Sequence, residues 1–369
     1  MIYLKICVYA ICKNEEKFVD RFYESAKDAD AIYVLDTGST DDTVNKLKSH
    51  GIIVEQKKID PWRFDVARNL SLEMIPEDFD VCIALDLDEV LVEGWKEIIL
   101  NNWKEDTTRL RYNYIWSHDE YGKPAVNFLC DKIHSRKNYK WVNPVHEILK
   151  CEQEEKFITC DNLTIEHFPD NTKSRSSYLP LLELAVKEDP NNDRNTHYLG
   201  REYMFHQRWN EAIDMLLKHL SLPTALWKDE RCASMRFIAR CYKNLNRFEE
   251  AKMWLNKAIL EAPYLRDPYI ELALLYYQLK EWDNVIKYCN QALEIKTHTK
   301  SYINEPFSWD HTVYDILSIA YYNLKDYQKS LDNINKALEI SPLDKRLINN
   351  KIIIEKTFLI KKSSATFYE

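Results

Sequence analysis

The sequence predicts two folded parts in series. An α/β domain on a mostly parallel sheet spans residues 1–170, and an all-α solenoid of helical repeats with a C-terminal capping helix spans 171–369. Three observations lead there. Apolar runs of strand length alternate with helix-spaced segments through the first part of the chain. From about Ser174 strand signals stop, and a set of small and aromatic residues recurs at fixed offsets. At 369 residues the chain exceeds one ordinary core, and a hydrophobic content of 45% is enough to fill two.

Taken in order, Ile2 to Ala10 is a β-rich apolar run, and Glu15 to Ala26 has helical spacing through Phe18, Val19, Phe22 and Tyr23. Ala31 to Leu35 reads as strand, Thr40 to His50 as helix with Thr40 as N-cap, and Ile52 to Glu55 as a short strand. Arg63 to Met74 reads as helix and Asp80 to Leu85 as strand, which gives a β-α-β-α-β order with helices on both faces. A helix near Trp95 to Trp103 follows, then β-like segments over Arg109 to Ser117 and Ala125 to His134.

The repeat is carried by chemistry as well as period. Leu199, Gly200, Tyr203, Ala212 and Leu216 set a register that returns as Ile238, Ala239, Tyr242, Ala251 and Leu255. It returns again as Leu272, Ala273, Tyr276, Val285 and Cys289, and as Leu317, Ser318, Tyr321, Ser330 and Ile334. The step from Ile238 to Leu272 is 34 residues, the tetratricopeptide period, whereas the flanking steps of 39 and 45 carry insertions. Small residues at Gly200, Ala239, Ala273 and Ser318 let paired helices approach closely, and the tyrosines fill the space above them.

Bulk properties remove several classes. A net charge of −8 argues against a broad grip on nucleic acid. No apolar run is long enough to span a membrane. The first ten residues are too short and strand-like for a signal peptide. Nine cysteines without a Cys-x-x-Cys pair suit reduced, buried thiols, so the expected compartment is the cytoplasm.

Chemistry concentrates after the apolar run Val81 to Leu85. There Asp86-Leu87-Asp88-Glu89 places two carboxylates one residue apart at a strand end, where they can share a divalent cation that neutralises a diphosphate. Asp36-Thr37-Gly38-Ser39-Thr40 puts another acid at a strand end before a turn. Two readings stand for it: a carboxylate that accepts from a base or ribose, or an Asx-turn with a helix cap.

Ile11-Cys12-Lys13-Asn14-Glu15-Glu16, Asp36 to Thr43, Ala67-Arg68-Asn69 and Asp86 to Glu89 resemble, in that order, the signatures of family 2 GT-A glycosyltransferases. The repeats that follow resemble a subgroup fused to tetratricopeptide (TPR) repeats, among them bacterial and phage enzymes that include peptide S-glycosyltransferases. The resemblance implies a Rossmann-like GT-A domain followed by a TPR solenoid. It implies that Asp36 contacts the uracil of a UDP-sugar, that Glu15 lies near the nucleoside, and that Arg68 lies near the base or diphosphate. Asn69 would support a loop, Asp86 would approach the ribose or a metal-bound water, and Asp88 would bind Mn²⁺ or Mg²⁺. Arg68 has a bland alternative as a surface residue paired with Asp65. Trp141 to Glu147 resembles a Val-His-Glu motif of the same group. It makes His146 a second metal ligand, with His167 the competing candidate. Were this segment an alternating strand, Glu147 would point away from His146.

No Glu-Asp pair stands where many inverting relatives carry the base. Asp119-Glu120, Asp131 and Glu147 are the available acids, and Glu147 is the choice. A thiol acceptor would need less from a base. Tyr112, Tyr114, Trp116 and Tyr121 are read as core filling ahead of sugar stacking, and Lys132, Arg136, Lys137 and Lys140 as either an acceptor site or a solvated edge. The expected activity is transfer of a sugar, glucose favoured, from a UDP-sugar to a protein, peptide or glycan held with help of the repeats, inverting the anomeric centre. The alternatives are a repeat-based interaction module with a vestigial transferase half, and a phage or viral enzyme acting on modified DNA bases. Dimerisation is a further use of the repeats.

Overall fold

The computed structural model describes residues 4–119, 122–170 and 176–366. The chain divides into two compact units, Met1–Pro190 and Asn191–Glu369, later than the boundary at residue 170 that the sequence predicts.

The first unit contains β1 (Ile6–Cys12), α1 (Val19–Ala26), β2 (Ala31–Asp36), α2 (Thr43–Ser49), β3 (Ile53–Gln56), α3 (Phe64–Glu73), β4 (Val81–Ala84), β5 (Glu89–Leu91), α4 (Trp95–Asn102), β6 (Arg109–His118), β7 (Pro124–Ser135), β8 (Tyr139–Val142), β9 (Ile148–Cys151), β10 (Phe157–His167) and α5 (Tyr178–Glu188). Eight strands form one sheet in the order β3-β2-β1-β4-β7-β6-β10-β5, and β8 and β9 form a separate hairpin. β3, β2, β1 and β4 are mutually parallel, as are β6 and β10; β7 and β5 run against their neighbours.

Alternation along β1 explains the two layers around it. Ile6, Val8 and Ala10 pack with Val19, Phe22, Leu47, Trp95 and Ile99 on one face, while Cys7 and Tyr9 pack with Leu72, Ile75, Phe79 and Trp141 on the other. Helix α5 extends the first unit: Glu188 accepts from Arg63 Nη1 at 2.6 Å, and the Tyr178 and Phe64 rings lie 6.0 Å apart. These contacts put the division at Pro190.

Two local expectations change. Helix α2 starts at Thr43, and Thr40 is not its cap; the Thr40 amide donates to Asn14 Oδ1 at 2.7 Å instead. Helix α1 starts at Val19, because Asn14 takes a positive φ of 56° and turns the chain toward the Asp36 loop.

The second unit is helical. Helices α6 (Asp193–Phe205), α8 (Lys228–Asn244), α10 (Asp267–Leu279) and α12 (Thr312–Asn323) each precede a partner: α7 (Trp209–Ser221), α9 (Phe248–Glu261), α11 (Trp282–Glu294) and α13 (Tyr327–Ile340). Helix α14 (Lys345–Thr366) closes the series in the place of the expected capping helix. Close approach within the pairs has a measurable basis. A Cβ on Gly200 would stand 2.6 Å from Leu216 Cγ and 3.2 Å from the Leu216 amide nitrogen. Gly200→Ala therefore overpacks the α6–α7 contact and should cost about 1–3 kcal/mol, read as an earlier urea midpoint for the helical unit. An unchanged midpoint would show that the pair has room to part.

Candidate active site

The parallel strands β1, β2 and β4 bring three loops to their carboxyl ends, the place where open α/β sheets gather ligands. Asp36 closes β2 and is fully buried. Its Oδ1 accepts from the amides of Gly38 and Ser39, both at 3.1 Å, and from Gln56 Nε2 at 3.3 Å. Asp36 thus organises its own turn. Gly38 takes a φ of 114°, a value that favours glycine. The same turn ties back to the Glu15 segment, since the Asn14 amide donates to Ser39 Oγ and the Glu15 amide to Thr43 Oγ1, each at 2.8 Å.

Beyond β4 the chain turns through Asp86-Leu87-Asp88 into β5. Here the two aspartates part. Asp86 faces the protein: Arg68 Nη1 stands 2.6 Å from its Oδ1, Arg68 Nη2 donates to its Oδ2 at 3.0 Å, and Lys132 Nζ lies 3.4 Å away. Burial works against an ionised Asp86, but Arg68 and Lys132 outweigh it and hold its carboxyl well below the usual range. Arg68 is itself buried in α3 and reaches Glu147 through Nε at 3.0 Å. A buried guanidinium needs acidic partners, and here they are Asp86 and Glu147. Asp65, the partner in the bland reading, bonds to Arg63 instead.

Glu89 completes this inner cluster. It is buried, accepts from Tyr114 OH at 2.6 Å and from Lys132 at 3.2 Å, and receives the Asp86 amide at 2.9 Å. Asn69, next to Arg68, clasps β8 in both directions: its Nδ2 donates to Trp141 O at 2.9 Å and its Oδ1 accepts the Trp141 amide at 2.8 Å.

Asp88 faces the other way. β5 pairs with β10 so that Glu89 stands opposite His167, and the Phe168 amide donates to Asp88 O at 2.8 Å. His167 Nε2 then lies 3.4 Å from Asp88 Oδ2. The His167 Nδ1 is 3.0 Å from Trp116 O and serves as donor to that carbonyl, which leaves Nε2 for Asp88. Burial works against a charged ring, yet the Asp88 carboxylate lifts the His167 pKa above its ordinary value.

His146 is placed elsewhere. It sits in the turn between β8 and β9 with a φ of 51°, its ring 5.7 Å from that of Tyr178. The segment is a bend and not an alternating strand. The histidine against Asp88 is thus the competing candidate, His167, in place of His146. Glu147, chosen as base, has its Oε1 on Arg68 Nε. Of the other acids, Asp131 pairs with Arg109 and Asp119 accepts the Lys123 amide at the β6–β7 turn. Glu120 and Tyr121 lie outside the described residues.

The aromatic segment divides. Tyr112 and Tyr114 are buried, whereas Trp116 is 47% exposed and stacks on His167 at 4.5 Å. Lys132, read from sequence as acceptor site or solvated edge, turns inward to Asp86 and Glu89. Arg136 donates to Ile75 O, and Lys140 pairs with Glu152. Sequence reading gives no role to Glu89 or Arg21. Glu89 had a signal, since it ends the acidic run. Arg21 lies over Phe168 at 4.5 Å, close to Asp88, and nothing in sequence spacing joins these residues.

Residues 7–146 match the model of Glycosyl transferase family 2. The match begins on β1 and ends at His146, so it holds the Asp36 turn, Arg68, Asp86 and Asp88. Residues 237–264 and 311–342 match the tetratricopeptide repeat. The first match lies in the Met1–Pro190 unit and the repeat matches lie in the Asn191–Glu369 unit. Among solved structures the chain is similar to the MamA protein, at 23% identity over 45% of this chain and 82% of that one, with a TM-score of 0.36. It is also similar to a thermophilic TPR protein of Thermus thermophilus, at 20% identity over 50% of this chain and 90% of that one, with a TM-score of 0.33. No curated protein matches the chain. Among the described residues, no helix is long and apolar enough to cross a membrane.

Proposed function

We propose that the transferase domain moves a sugar from a UDP-sugar, glucose favoured, to a protein, peptide or glycan acceptor with inversion at the anomeric carbon. The observation that carries this reading is the Asp88–His167 pair at the strand-end loop of a family 2 domain.

Asp88 and His167 would hold a divalent ion through a carboxylate oxygen and an imidazole nitrogen that stand 3.4 Å apart. Among the described residues no group of three such side chains converges, so the protein would supply only part of the ion's shell. The imidazole favours Mn²⁺ over Mg²⁺. Such an ion, when bound, neutralises charge on the departing diphosphate. Asp86, tied to Arg68 and Lys132, is left to shape the loop that presents Asp88.

In the transfer, an acceptor oxygen or sulfur forms the new bond to the anomeric carbon. The bond to UDP breaks with its electron pair on the phosphate oxygen, and the acceptor proton leaves to a base. Glu147 takes that proton only if it leaves Arg68. A uracil contact at Asp36 likewise requires the turn to hand over one of the bonds that Gly38, Ser39 and Gln56 make to it.

A thermal-shift panel of nucleotide-sugars with Mn²⁺ tests the assignment. The Mn²⁺-dependent shift with a UDP-sugar should vanish in His167→Ala and persist in His146→Ala. The reverse pattern would return the metal to His146. No response to any nucleotide-sugar would favour an interaction module with a vestigial transferase half.

A further inference from the structure

Near its carboxyl end β6 keeps register with one neighbour and loses it with the other. Against β10 the parallel pairing is regular there, Asn113 with Thr164, Tyr114 with Ile165 and Ile115 with Glu166. Against β7 it slips: Ile115 stands opposite Asn127 and Ser117 opposite Val126, so Trp116 is the extra residue of a β-bulge. A bulge turns a side chain away from the direction that strand alternation gives it, and bulges recur beside functional sites. Here the successive residues Tyr114 and Ile115 are both buried, and the Trp116 that follows is half-exposed.

Trp116 meets His167 twice. Its carbonyl accepts from His167 Nδ1 at 3.0 Å, and its indole lies 4.5 Å from the imidazole with the two planes 25° apart. Strand β10 runs between β6 and β5, so His167 has Trp116 on one flank and the Asp88 loop on the other, with Asp88 Oδ2 3.4 Å from Nε2. The Tyr114 ring is farther from His167, at 6.2 Å, and its hydroxyl is tied to Glu89 at 2.6 Å.

The two contacts do different things. The hydrogen bond fixes which ring nitrogen carries the proton, but it lets the imidazole swing about the N–H···O axis. A flat ring packed against the imidazole removes that swing and keeps Nε2 turned to Asp88. Binding sites need their side chains held to within about 10–20° of the working geometry. The carbonyl belongs to the backbone and survives any substitution at position 116, so the share of the indole can be read by itself.

We propose that Trp116 is a positioning residue for the ion site: the bulge in β6 aims its indole onto His167, and the stack holds the imidazole plane in which Nε2 faces the partner carboxylate Asp88. This inference rests on the assignment of Asp88 and His167 to a divalent ion.

The test measures Mn²⁺ binding to the full chain in the presence of UDP, with free Mn²⁺ counted by electron paramagnetic resonance. Trp116→Ala should weaken Mn²⁺ binding by about tenfold or more, while the metal-free unfolding midpoint of the transferase domain stays in place. Trp116→Phe, which keeps a flat ring, should restore most of the affinity. Trp116→Leu, which keeps apolar bulk without one, should not. Should Trp116→Ala lower the midpoint, the comparison of Phe with Leu carries the decision. Unchanged affinity in Trp116→Ala, alongside its loss in His167→Ala, overturns the role of Trp116 and leaves the ion assignment standing. Equal rescue by Leu and Phe overturns it too, since bulk alone would then suffice. If the unaltered chain binds no Mn²⁺, or His167→Ala binds it as tightly, the ion assignment fails and the role of Trp116 falls with it.

Discussion

Asp88→Asn is expected to lower turnover of the UDP-sugar by about a hundredfold to a thousandfold, the scale seen when one stabilising group for developing charge is removed. The change keeps the side chain's shape and removes its charge. Asp88 is partly exposed and its carboxylate faces His167, so the unfolding midpoint of the transferase domain should move little. The informative measurement is the dependence of rate on Mn²⁺ concentration. If Asp88 holds the ion, added Mn²⁺ should recover part of the activity in Asp88→Asn. Full activity at ordinary Mn²⁺ would remove Asp88 from the site.

Arg68→Met is expected to be the most destabilising single change in the transferase domain. The guanidinium is buried between Asp86 and Glu147, and its loss leaves two carboxylates facing each other, with Lys132 as the remaining cation near Asp86. Removing one partner of a buried ion pair typically costs about 3–5 kcal/mol, because the other charge is left uncompensated. Adding Asp86→Asn and Glu147→Gln to Arg68→Met should recover part of that loss, since neutral amides carry a smaller burial penalty than unpaired carboxylates. Unfolding of the transferase domain, followed separately from that of the helical unit, gives the comparison. A loss below about 1 kcal/mol, the scale of an exposed ion pair, would show that the cluster is hydrated and ordinary.

The same residue shows where sequence reading reaches its limit. Ala67-Arg68-Asn69 is visible as a motif, and the spacing around it places α3 nearly to the residue. Which acids the guanidinium meets depends on Glu147, 79 positions away, and no local period encodes that distance. The proposed metal site repeats the point. Asp88 follows from an acidic run at a strand end, whereas the sequence favours His146 over its competitor His167. The pairing of β5 with β10 brings His167 across from Glu89. Strands β8, β9 and β10 are not among the elements the sequence predicts, and with them the register that makes this choice stays hidden.

Local chemistry written in the chain therefore determined the alternating α/β half, the helical repeats and the acidic loop after β4. Those follow from the period of apolar side chains and from small residues such as Gly200, where a methyl group already meets Leu216. Folding in three dimensions decided which carboxylate is buried with Arg68 and which is left facing His167. The physical reason is common to both: strand register and the pairing of buried charges act between residues far apart in sequence, and burial makes an unpaired charge too costly to leave.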